Sequence, residues 1–309
     1  MKSEQEPITV RKVFPAMGTV HTLAVEGEQA LVAAERIKER IQTMDQKWSV
    51  FRENSEITAL NRGASVTVSE DTLRILKESV RISKETGGAF DITAGSLTKL
   101  WRQAMRDERI PDPREIPEAL RHTGATGIRM FGNRVKLKRG RTVDLGGIAK
   151  GYALDRALEL LKDAGTENAI LNLGGTIVVT GRPVEIGIRN PFDPDGEPMG
   201  TLLLDNRCAV TSGSYERFVR IDGRTFHHII DPRTGYPSDS GLVSVTLVGR
   251  NATVLDALAT ASFILGPFHA LPLLKRYGIE AIFIKADGKV LKTEGLSNTF
   301  QFHENMRTA

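Results

Sequence analysis

The apolar positions of this chain change their period as it runs. Residues 7–27 alternate apolar and polar, the spacing of half-buried strands, with a break at Pro15-Ala-Met-Gly18. From Gln29 to Trp48 the spacing lengthens, and Leu31, Val32, Ala34, Ile37, Ile41 and Met44 predict an amphipathic helix. A polar loop, WSVFRENSEI, leads to a short turn ending at Asn61-Arg-Gly63. Ser69-Glu-Asp-Thr72 opens a second helix through Leu73, Ile75, Leu76, Val80 and Ile82, stopped by Gly87-Gly88. Asp91 is expected to be the N-cap of a third helix, reaching Trp101 and Met105. The linker-like Ile110-Pro-Asp-Pro113 is too short to prove a domain boundary.

A hairpin from Arg129 to Lys138, turning at Gly132-Asn133, precedes a helix with Ala149, Ala153, Ala157, Leu160 and Leu161 on one face and Gly165 at its end. Strand-like runs then dominate as far as Gly249. Asn251 caps an apolar helix to Leu265, Gly266-Pro267 stops it, and a second helix runs from His269 to Tyr277. A final hairpin turns at Asp287-Gly288. Helices first and consecutive strands later predict an α+β fold and not a doubly wound parallel sheet.

Composition narrows the function classes. The chain has 309 residues, 40% hydrophobic and 26% charged, enough for a soluble globular protein with an ample core. Its net charge is +4, with Lys and Arg spread along it, which argues against a nucleic-acid surface and suits an anionic small molecule. Cys208 is the single cysteine and reads as a small buried hydrophobe. No window approaches eighteen consecutive apolar residues, so no transmembrane segment is expected. MKSEQEPITV lacks an apolar signal core and a lipid-bearing cysteine. The expectation is a cytoplasmic protein, or an exported one if a leader has been trimmed away.

Three stretches carry candidate chemistry. Phe226–Pro237, FHHIIDPRTGYP, is an extended run entering a turn that Pro232 and Gly235 stiffen. Alternation places His227 and His228 on opposite faces, with Ile230 on the face of His228. Residues alone leave this open between an aimed catalytic histidine and a decorated hairpin. Asp256 and Thr260, at i and i+4, share one face of an otherwise apolar helix. A carboxylate there is costly unless something positive satisfies it, and carboxylate with hydroxyl would select Mg²⁺ over Zn²⁺. The alternatives are a capping aspartate and a core threonine bonded to its own helix. Asp144-Leu-Gly-Gly-Ile-Ala-Lys-Gly151 puts glycines and Lys150 at a helix start, where anions bind, or where glycine permits a close helix–strand contact. The spacing is not that of a P-loop.

Taken in order, these stretches resemble the ApbE family, the FAD:protein FMN transferases. Further matches are Ala16-Met-Gly-Thr19, Ser55-Glu-Ile57, Gly88-Ala-Phe-Asp91, Asn172-Leu-Gly-Gly175 and the run from Cys208 to Phe218, so the likeness covers nearly the whole chain. The resemblance implies a single α+β unit over 1–309, with a mainly antiparallel sheet and an ordered core of about 7–300. It places Mg²⁺ on Asp256, Thr260 and the carbonyl of Gly147. It places FAD against Met17, Phe51, Ala89, Phe90, Asp91, Asp144, Lys150 and Ile230. Phe51 departs from the tyrosine of many relatives, which keeps a stacking face and loses a hydroxyl.

The implied reaction moves FMN from FAD to a Ser/Thr hydroxyl of an acceptor flavoprotein with a Ser/Thr-Gly-Ala-Thr-like motif, releasing AMP. His228 is the candidate for taking the hydroxyl proton, an aspartate near the metal being the alternative. A Mg²⁺-dependent FAD pyrophosphatase would use the same residues, and a flavin-binding protein without turnover would not need Asp256 and Thr260. Thr123-Gly-Ala-Thr126 is similar to the acceptor core, but the acidic residue expected three positions earlier is Leu120, so the match is read as coincidence.

Overall fold

A computed structural model describes residues 8–221 and 223–303. Pro7, where the alternation begins, lies outside them. The core is an eight-stranded sheet whose strands lie side by side in chain order, every neighbouring pair antiparallel. We number them β1 (Thr9–Ala16), β2 (Thr19–Glu26), β3 (Asn168–Leu173), β4 (Thr176–Thr180), β5 (Arg207–Gly213), β6 (Leu242–Gly249), β7 (Glu280–Lys285) and β8 (Val290–Lys292). The break seen at Pro15–Gly18 is the two-residue hairpin between β1 and β2. Met17 (φ 49°) and Gly18 (φ 74°) both take the left-handed conformation that matches strand twist.

Alternation gives each strand two faces with different coverings. Leu171, Leu173, Val178, Val210, Val245, Leu247 and Phe283 face a helical layer. Val179, Ala209, Val248, Ile282 and Ile284 face a three-stranded sheet of Val184–Ile188, Gly200–Leu204 and Phe300–Phe302. The helices are α1 (Ala30–Trp48), α2 (Glu56–Asn61), α3 (Glu70–Glu85), α4 (Gly95–Arg106), α5 (Glu115–Arg121), α6 (Ala149–Asp163) and α7 (Ala252–Tyr277). The α+β class and antiparallel sheet expected from the sequence are those observed.

Three expectations need correction. The loop before Asn61 holds α2, opened by Ser55, whose hydroxyl accepts the Thr58 N–H at 2.9 Å. Asp91 does not cap α4, which starts four residues later; its carboxylate binds the N–H and hydroxyl of Thr93 instead. An aspartate four residues ahead of a helix closes its own turn as readily as it caps. The strand Arg224–His227 ends before His228, so the FHHII run is only partly strand.

α7 has the length and apolarity of a membrane-crossing helix. It is bent at Gly266 (φ 72°, ψ 167°) and buries Leu255, Leu258, Phe263 and Leu274, so here it is the core helix under the sheet. The bend frees the Phe263 carbonyl, which accepts the Ser240 hydroxyl at 2.5 Å.

Candidate active site

A cleft of about 1200 Å³ opens between the helical layer and the ends of the strands. All twelve residues singled out in the sequence line it: Met17, Phe51, Ala89, Phe90, Asp91, Asp144, Gly147, Lys150, His228, Ile230, Asp256 and Thr260. They come from six separate stretches of chain, which the sheet and the α6–α7 pair gather.

The centre is where α6 begins. The Asp144 carboxylate accepts the Gly146 N–H at 2.9 Å and shapes the turn into the helix. Gly147 follows, so close to its neighbours that a Cβ there would sit 3.3 Å from Thr260 Oγ1 and 3.3 Å from the Phe90 ring. One turn on, Gly151 lies against the first turn of α7, where a Cβ would be 2.1 Å from the Ala252 carbonyl oxygen. The close contact therefore exists, and it joins two helices where the sequence suggested a helix and a strand. It delivers the Gly151 N–H to Asp256 Oδ2 at 2.9 Å.

Asp256 is 3% exposed, and Lys150 Nζ stands 3.5 Å from its Oδ1. The carboxylate thus already has a cation and an amide donor. Asp256 and the Thr260 hydroxyl stand one helical turn apart on α7, and the Gly147 backbone adjoins that hydroxyl. These are hard oxygen donors suited to Mg²⁺ with water filling the remaining positions. Among the described residues no three of His, Cys, Asp and Glu gather, so a softer-metal site is not built here. The Thr260 hydroxyl has only a long 3.5 Å bond to its own helix, which leaves it free to turn.

One wall carries the histidines. His227 donates Nε2–H to the Ser238 carbonyl at 3.1 Å and meets the Phe263 ring edge-on, a packing role away from the cleft. His228 faces the cleft. Both its N–H and its Nδ1–H reach the Arg217 carbonyl, at 3.1 and 3.2 Å, which fixes the tautomer and leaves the Nε2 lone pair outward. Burial pushes its pKa down to about 4, so the ring is neutral near pH 7. The following turn is rigid: Asp231 accepts from Arg233, the Gly235 N–H returns to the Asp231 carbonyl at 2.8 Å, and Trp101 Nε1 donates to the Gly235 carbonyl at 2.8 Å.

On the other wall Phe51 is 79% exposed, with the Arg102 guanidinium 5.2 Å above its ring. Asp91 is held by Thr93 and by the Ala125 N–H at 2.8 Å. That second bond gives Thr123–Thr126 a structural use: Gly124 and Ala125 donate to Thr93 and Asp91 and support the wall from behind.

Several lining residues had no assigned role in the sequence. Arg102, Arg189 and Arg217 add positive charge beside Lys150, and Glu216 sits among them with its pKa raised by burial. Asp45 also lines the cleft. Its signal was its place in the last turn of α1, where a carboxylate opposes the helix dipole and needs another reason to be. Cys208 is buried, its thiol pushed up to about 12, and takes no part.

Comparison with known proteins places nearly the whole chain. The ApbE family model matches residues 17–283. An FAD:protein FMN transferase of Treponema pallidum is 32% identical, aligned over 85% of this chain and 80% of its own length. One from Escherichia coli K12 is 30% identical over 90% of this chain and 84% of its own. In structure, the ApbE protein of Thermotoga maritima superposes with a TM-score of 0.86 at 33% identity, covering 93% of this chain and 98% of that one. The flavin transferase ApbE of Vibrio cholerae gives 0.84 at 27% identity over 95% and 99%. With its fold and nearly its whole length matched, the chain belongs to the ApbE family.

Proposed function

We propose that this protein transfers the FMN part of FAD to a Ser/Thr hydroxyl of an acceptor flavoprotein, with AMP as the other product. The observation that carries the reading is the meeting, in one cleft, of a helix start with Lys150, hard oxygen donors on α7, and a neutral histidine with a free Nε2. The names of the relatives agree with it.

Each residue then has a task. The start of α6 and Lys150 face the pyrophosphate and favour its negative charge. Arg102 and Phe51, with Met17 and Phe90, offer flat and soft surfaces to the ring systems. Mg²⁺ would be held by Asp256, Thr260 and the Gly147 carbonyl, where it would neutralise charge on the phosphates. To take it, Asp256 would exchange its Lys150 contact for the metal, which leaves the lysine free for phosphate. The acceptor hydroxyl attacks the FMN phosphorus, the bond to AMP breaks, and His228 Nε2 takes the hydroxyl proton. An acceptor of Ser/Thr-Gly-Ala-Thr type would enter where His228 meets the opening.

The test is incubation with FAD and Mg²⁺, with and without an acceptor domain. Expected are AMP and an acceptor heavier by one FMN less a water, in equal amounts. AMP without a mass gain would make the protein a pyrophosphatase. FAD binding with neither product would make it a flavin-binding protein. FAD should bind 1:1 and FMN much more weakly; equal affinities would refute a cleft that holds both halves.

A further inference from the structure

The peptide unit joining Ala16 to Met17 is held at both ends. Its carbonyl oxygen accepts a hydrogen bond from His21 Nε2 at 2.7 Å, and its N–H donates to Asp45 Oδ1 at 2.9 Å. Met17, the residue that follows, is left-handed with φ 49°. Hairpin turns of this kind favour Asn or Gly there, because a side chain in that conformation is strained. The Met17 side chain packs against the core and lines the cleft.

Both partners are expensive choices locally. His21 is fully buried, stacked on Phe14 at 5.4 Å, and its Nδ1 has no partner. An apolar residue would suit that position better unless the Nε2 bond matters. Asp45 stands in the last turn of α1, the wrong end of a helix for a carboxylate. Its Oδ2 is 3.8 Å from Arg52, next to Phe51 on the opposite side of the opening. Asp45 thereby ties the hairpin tip to the loop carrying Phe51.

We propose that Asp45 and His21 are positioning residues: they prevent the Ala16–Met17 peptide from flipping and so hold Met17 in a left-handed conformation that presents its side chain to FAD. This rests on the reading of the cleft as an FAD site. With either end released, the hairpin relaxes to a turn that Met17 adopts without strain, and its thioether leaves the wall.

A double-mutant cycle tests this through FAD affinity. Asp45→Ala is expected to weaken FAD binding about tenfold, and Asp45→Asn, which keeps an acceptor oxygen, to stay within about threefold of the parent. In a Met17→Gly background, where φ > 0 carries no strain and the thioether is gone, Asp45→Ala should cost less than about twofold more. Equal losses in both backgrounds, or an Asn variant as weak as the Ala variant, would overturn the proposal. Hydrogen exchange of the Met17 amide in ligand-free protein reads the clamp without any flavin. Slow exchange in the parent that becomes fast in Asp45→Ala supports it, and equal exchange refutes it even if FAD proves not to be the ligand.

Discussion

Asp155 and Asp256 each cap the helix that carries the other. Asp155, on α6, accepts the Ala252 and Thr253 N–H groups that open α7, at 3.0 and 2.9 Å. Asp256, on α7, accepts the Gly151 N–H in the first turn of α6, at 2.9 Å. The two helix starts are locked in register, and the oxygen donors of α7 stand beside the first turn of α6. Asp155→Ala would leave those donors without their partner in a packed interface, at a cost of roughly 1–3 kcal/mol. Calorimetry should show a lower Tm, and FAD affinity at a temperature where the variant is folded should change little.

Gly151→Ala tests the closeness of the two helices. Its methyl group has no room beside the Ala252 carbonyl, so α6 and α7 must separate. Overpacking of this sort costs roughly 1–3 kcal/mol. Because the Gly151–Asp256 bond stretches as well, turnover should fall further than stability does, with the Mg²⁺ concentration for half-maximal rate rising. A variant less stable but unchanged in its Mg²⁺ requirement would separate the helix contact from the metal.

Asp256→Ala should reduce AMP release by more than about a hundredfold, as expected for loss of a metal that stabilises phosphoryl charge. Circular dichroism should show the fold retained. If the variant keeps both activity and Mg²⁺ dependence, the metal lies elsewhere.

His228→Asn should cut transfer by about 10²–10⁴-fold, the usual effect of losing a general base, with FAD affinity within a few-fold. The imidazole is competent when neutral, and its pKa is down at about 4. The acid limb of kcat/KM should therefore fall below pH 5, well under the ordinary histidine value, and vanish in the variant. His227→Asn, which loses the Ser238 bond, should affect stability and spare the chemical step. Equal loss of FAD binding and turnover in His228→Asn would make that residue a wall of the cleft.

Mild acid should destabilise the fold through its buried histidines. Burial holds the pKa values of His21, His227 and His228 below 6.5. As pH falls from 6.5 towards 4, the unfolded chain takes up protons that the folded one refuses, so stability declines through this window and is fully present above it. Urea midpoints should be lower at pH 5 than at pH 7, and a midpoint that does not move would mean these rings are not buried in neutral form.

Much of this molecule could be read from sequence because its signals were local. The bend at Gly266, the cap at Asn251 and the turn at Asp287-Gly288 are each written in two or three neighbouring residues. Asp256 and Thr260 stood out as polar positions in an apolar helix. Other features needed the third dimension. α5 contains Pro117 and is only seven residues long, and α2 is six residues supported by one serine cap, so neither has a periodicity to detect. Asp91 carried the same signature whether it capped a helix or closed a turn. Asp45 showed only as a carboxylate at the unfavourable end of α1, and its partner became visible once the hairpin tip came to rest on it.

Neighbours in the central sheet are not neighbours in time. β2 and β3 lie side by side, with Glu26 opposite Asn168, and everything from α1 to α6 is looped out between them. Pairing so distant is slow to form, because the loop's entropy is lost before its contacts are gained. Met17 precedes this junction in the chain, Phe51 lies within the looped-out segment, and His228 and Asp256 follow it. During refolding, flavin binding should therefore emerge in the slowest phase, well after helical circular dichroism has returned, and a newly made chain would be unable to hold its ligand until its last third had left the ribosome.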